Sequence, residues 1–67
     1  MLKPKPNSER RLVRVAAAAA YLSLSKRVVR RLVQEGQIPI VRYGENAAWL
    51  LDLQDLERWV ETHKTTL

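Results

Sequence analysis

Apolar residues in this chain fall into blocks separated by turn-forming residues. The first block, Val15 to Leu22, reads VAAAAAYL. Successive alanines have the highest intrinsic helix propensity of any side chain, and their small size lets a second helix approach closely. Ser23 and Ser25 favour turns and caps, because their hydroxyls compete for backbone groups. The pattern predicts a short helix over 15–22 and then a three-residue turn. Ser25 is a good N-cap for the next block, KRVVRRLVQE. At about 100° per residue, Val28, Val29, Leu32 and Val33 fall on one side. Lys26, Arg27, Arg30, Arg31 and Gln34 fall on the other, with no charge inside the apolar arc. Gly36 stands where a C′ glycine should. Valines lower the helix propensity slightly, so packing must hold this helix in place.

Pro39 rules out continuation of the second helix. Ile40, Val41 and Tyr43 favour a strand, Gly44-Glu45-Asn46 signals a turn, and 48–51 can return as a second short strand. Two strands alone are marginal, so this hairpin must pack on the helices. Asp52 is the expected N-cap of a last helix over about 53–62, with Asp55 three residues later in a capping-box-like place. Leu53, Leu56, Trp59 and Val60 lie at helical spacing and form its expected buried stripe. The resulting fold class is mainly α with a small β-hairpin, in the order helix, turn, helix, hairpin, helix. Residues 1–10, with Pro4 and Pro6, read as a flexible basic arm. Residues 11–62 read as the domain and 63–67 as a disordered tail.

Charge changes the picture. The net charge is +5, but residues 1–31 hold nine basic groups against one acid, Glu9, whereas residues 32–67 hold three against six. That asymmetry implies one face for a polyanion and another kept away from it. A chain of 67 residues is one small domain of marginal stability. Without Cys it has neither disulfides nor a Cys-based zinc site. Nothing approaches the roughly 20 apolar residues of a transmembrane helix. The run 15–22 lies inside the only domain and does not read as a signal peptide. No nucleophile with a base, no paired carboxylates and no Gly-rich phosphate loop is visible, so neither an enzyme nor a cofactor is expected. The lone His63 has no partner for metal binding or acid–base work. Trp49 and Trp59 read as core anchors, Tyr21 and Tyr43 as core-edge residues, and Asp52, Asp55, Glu57 and Glu61 as a solvated acidic face.

Two short helices joined by a three-residue turn, the second basic on one side, form a helix-turn-helix signature. The second helix of such a unit enters the major groove, and a following hairpin acts as a wing. The sequence also resembles the small winged helix-turn-helix domain of phage and plasmid excisionases, related to the DNA-binding domain of MerR-type regulators. The resemblance spans about 12–60. It rests on Leu12-Val13-Arg14-Val15-Ala16, on Ala18-Ala19-Ala20-Tyr21-Leu22, and above all on the run from Ser25-Lys26-Arg27 through Leu32-Val33-Gln34-Glu35-Gly36-Gln37-Ile38-Pro39. Val41-Arg42-Tyr43-Gly44, Trp49-Leu50-Leu51-Asp52 and Asp55-Leu56-Glu57-Arg58-Trp59-Val60 complete it. Four positions depart from the family. Arg14 stands in place of a Thr or Ser cap, Ser23 in place of the turn glycine, and Val28 in place of a Thr. The wing tip Glu45-Asn46-Ala47-Ala48 lacks the basic residues usual there.

The resemblance implies a sequence-specific binder of double-stranded DNA. It would be a recombination directionality factor for mobile-element excision, a small transcriptional regulator, or both, in a bacterial or phage cytoplasm. An integrase and cooperative self-association on DNA are the implied partners. On this reading Ser25 helps hold a phosphate at the helix N-terminus. Lys26, Arg27 and Arg30 face base edges, where Arg30 is placed to read guanine through two hydrogen bonds. Arg31 and Gln34 flank that stripe, with Gln34 reaching adenine or phosphate. Arg42 and Tyr43 touch the backbone from the hairpin, and Arg10, Arg11 and Arg14 add phosphate contacts. A reading of another class is a protein-interaction module that binds an integrase or other partner without DNA, motivated by the acidic wing tip and last helix.

Overall fold

A computed structural model describes residues 11–66. The proposed arm at 1–10, Arg10 included, and residue 67 lie outside the described residues. The elements follow in the order β1 (Leu12–Arg14), α1 (Val15–Leu22), α2 (Lys26–Gln34), β2 (Leu50–Asp52) and α3 (Leu53–Thr62). The three helices keep the bounds their sequence patterns predict, to within a residue.

The turn between α1 and α2 is fixed by backbone hydrogen bonds. The Leu24 N–H donates to Ala19 O (2.9 Å) and the Ser23 N–H to Ala20 O (3.2 Å). Ser23 itself is left-handed, with φ 59° and ψ 37°. This is the Schellman arrangement, in which the residue past the helix end is usually glycine. The turn thus forms with a serine where glycine is usual. α2 ends the same way, on a residue suited to it. Gly36 has φ 81°, its N–H reaches Val33 O, and the Gln37 N–H reaches Leu32 O (2.9 Å).

α1 packs on α2 through its alanine face, and Ala18, Ala19, Val29 and Leu32 are buried in one cluster with Ile38, Leu51 and Leu56. Val28 and Val33 flank it half-buried, so the apolar arc read from the sequence is the docking face of α2. α3 closes the core with Leu56, while Leu53, Trp59 and Val60 are half-buried. A core of this size, at about 1.5–3 kcal/mol per fully buried aliphatic side chain, leaves little margin, so caps and turns matter.

The β structure has one feature that the sequence pattern does not indicate. β2 pairs antiparallel with β1, with Leu12 opposite Asp52, Val13 opposite Leu51 and Arg14 opposite Leu50. The hairpin's own pairing is a single bridge on the other edge of β2. There Val41 N–H donates to Leu50 O (2.7 Å) and Leu50 N–H to Val41 O (3.0 Å). Between them runs the wing loop, whose turn is closed by the Ala47 N–H on Gly44 O (3.2 Å). β1 therefore anchors the wing to the start of α1. The anchor extends to α3, because the Leu53 N–H donates to Arg11 O (2.9 Å) and Arg11 Nε–H to Asp52 Oδ2 (2.8 Å).

Candidate DNA-binding surface

The surface is built on the N-terminal end of α2. Ser25 caps it, its Oγ accepting the Val28 N–H (3.1 Å). The first carbonyl-bonded amide of the helix is that of Val29, on Ser25 O (3.0 Å). The amides of Lys26 and Arg27 precede it and point out of the helix end, where an anion is favoured. Lys26, Arg27, Arg30, Arg31 and Gln34 are all exposed, while Val29 and Leu32 behind them are buried. One helix therefore carries a docking face and a cationic face on opposite sides.

The predicted candidates divide into groups. Arg14, Lys26 and Arg30 line one open cleft of about 390 Å³, together with Val15, Ala48 and Trp49. Arg14 is the N-cap residue of α1 and makes no side-chain capping bond, so its guanidinium is left for other contacts. Arg27, Arg31 and Gln34 continue the exposed stripe. Arg31 leans toward Glu35, four residues on (3.8 Å). Arg42 and Tyr43 are exposed on the wing loop. Arg11 is engaged elsewhere, paired with Asp52 at the start of α3 and with Nη2 3.5 Å from Gln54 Oε1.

The structure corrects several assignments made from the sequence. Trp49 is not a core anchor: it is half-buried, lies outside the core cluster and lines the Arg14–Lys26–Arg30 cleft. It just precedes β2, so the inward facing of Leu51 does not extend to it. Tyr43, read as a core-edge aromatic, is 80% exposed. Trp59 does pack against the core, but half-buried; its Nε1–H donates to Gln37 (3.3 Å) and its ring stacks on His63 (4.3 Å). The acids of α3 are not a uniform solvated face. Asp52 caps the helix through the Gln54 N–H (2.9 Å) and pairs with Arg11. Asp55 directs its carboxylate to Arg58 (3.2 Å) instead of back to the cap. Glu57 and Glu61 are the exposed ones.

A helix-turn-helix with a cationic second helix, a wing beside it and a cleft lined by cations define a small winged helix-turn-helix DNA-binding protein. The profile of a helix-turn-helix domain family matches residues 12–64, and the chain belongs to that family. Curated proteins and solved structures return no match. Among the described residues, no helix is long and apolar enough to cross a membrane.

Proposed function

We propose that this protein is a sequence-specific DNA binder of the excisionase type. It would act on double-stranded DNA as a recombination directionality factor for mobile-element excision, as a small transcriptional regulator, or both. α2 lies in the major groove with Lys26, Arg27 and Arg30 toward base edges. Arg31 and Gln34 flank them, and Ser25 and Arg14 meet phosphate. Arg42 and Tyr43 reach the backbone from the wing, with Arg11 at the edge. The observation that carries this reading is the division of α2: Val29 and Leu32 are buried while every basic side chain of the helix is exposed. A single module of this size buries little DNA surface, so useful specificity calls for copies side by side on repeated sites, or for a partner such as an integrase. The setting that fits is a bacterial or phage cytoplasm.

The salt dependence of binding tests the reading. With about six phosphates contacted, affinity falls roughly 10³-fold between 50 and 200 mM salt. Arg30→Ala weakens binding to a site selected from a random pool more than binding to unrelated DNA. A flat salt response, with no sequence enriched from the pool, favours instead a protein-interaction module, which the exposed Glu45, Glu57 and Glu61 would suit.

A further inference from the structure

The cleft between α2 and the base of the wing has a composition that the α2 reading alone does not use. Its lining holds three cations, Arg14, Lys26 and Arg30, and no acid. Ion pairs among the described residues engage Arg11, Arg31, Arg58 and Lys64; Arg14, Lys26 and Arg30 have no acidic partner among the described residues, as is true of Arg27 and Arg42 outside the cleft. Three like charges converging on a concave surface repel one another unless an anion joins them. The remaining wall is apolar: Trp49, with Val15, Ala16, Ala47 and Ala48. Trp is a large apolar group that usually contributes to a core; here it is half-buried beside the cations and outside the core cluster.

We propose that this cleft receives the sugar-phosphate backbone of one DNA strand, the phosphate held by Arg14, with Lys26 and Arg30 adding positive field along the wall they pass on the way to the base edges, and the deoxyribose packed on the indole of Trp49. This rests on the DNA-binding reading above and adds a residue to it. In a duplex the base faces are stacked on one another, so an aromatic side chain at the groove margin meets the apolar C–H face of a sugar. The volume of about 390 Å³ lies near the low end of small-ligand sites, suited to a sugar and its phosphate. The wing is compatible with this placement. Its turn holds the exposed Glu45, where a cation would serve a phosphate, so Trp49 at its base is a contact point that adds to Arg42 and Tyr43. The contact carries no sequence information: it fixes how the domain sits on the duplex.

Trp49 and Trp59 are the two tryptophans of the chain, so Trp59→Phe leaves Trp49 as the reporter. Its emission is followed while a dye-labelled duplex reports binding independently by anisotropy. The expected result is that emission changes in step with anisotropy, both for a selected duplex and, at low salt, for an unrelated one. Trp49→Leu should weaken binding to both by up to about tenfold, the loss of apolar area buried between indole and sugar, while keeping the wild-type circular dichroism. A silent Trp49 at saturating duplex overturns the inference. So does a response confined to the selected duplex, which would place the indole on a base edge. Inorganic phosphate or a mononucleotide reproducing the full change also overturns it, because the cleft would then be a small-anion pocket. If Trp49→Leu does not fold, the emission experiment decides alone. If the wild-type chain binds no duplex, the DNA-binding reading itself falls; normal salt-dependent binding with a silent Trp49 removes only this inference.

Discussion

At the scale of single residues, Ser23 and Arg14 each cost stability, for different physical reasons. A non-glycine residue in the left-handed region costs on the order of 1 kcal/mol, and Ser23 sits there at φ 59°. Glycine removes that cost but adds disorder to the unfolded chain, which recovers part of it. Ser23→Gly is therefore expected to stabilise the domain by about 0.5 kcal/mol, raising the melting temperature by roughly 2–4 °C. Thermal unfolding followed by circular dichroism measures it, and a lower melting temperature would refute the strain at Ser23. Arg14 differs in kind. It leaves α1 without a side-chain cap, yet it is the residue of β1 that reaches the Lys26–Arg30 cleft. A missing cap costs about 1 kcal/mol, so at position 14 a stabilising cap is forgone in favour of a cation at the surface. The sequence exposes that substitution only against a family pattern. It does not reveal that the turn at Ser23 survives, because a φ angle is set by the hydrogen bonds on either side of it.

Elements differ in how much of them is legible from local residues. α2 is readable because its information is local: a cap, an amphipathic arc and a C′ glycine all lie within twelve residues. Pairing of β1 with β2 is not, since a three-residue strand has no period to read and its partner lies some forty positions away. The same gap hides Trp49, whose place depends on where β2 begins against β1. The cap of α2 is the element-scale feature most open to a test. Ser25 Oγ satisfies the Val28 N–H at 3.1 Å, and its loss exposes an orphan donor at the end that faces DNA. Ser25→Ala should destabilise the domain by about 1 kcal/mol, a fall of roughly 4–8 °C in a chain of this size. Ser25→Asp keeps the cap, and the dipole favours its charge in isolation, but places an anion where a phosphate would dock. It should therefore hold the melting temperature while weakening DNA binding. Both variants melting like the wild type would show that the cap contributes nothing.

For the whole molecule, the arrangement of charge decides orientation on a polyanion. The exposed face of α2 and the Arg14 cleft are cationic, while Glu57 and Glu61 lie exposed on α3. A duplex approaching such a field is steered to the α2 side and repelled from α3. Glu45 is the exception, an exposed acid at the turn of the wing that follows the basic helix. If the wing lies along the duplex, Glu45 opposes binding at long range and leaves one phosphate without a partner. Glu45→Lys then adds one phosphate contact. The salt slope should steepen by about one, and affinity at 0.1 M salt should rise by up to about tenfold, equally for selected and unrelated sequences. Stability should scarcely move, because the position is exposed and outside the core. Affinity and slope both unchanged would mean that the wing tip stands clear of the duplex, and that the wing meets DNA only at its base, beside Trp49. A rise confined to one sequence would mean that the new lysine reads a base, which makes the wing a specificity element instead of an electrostatic one.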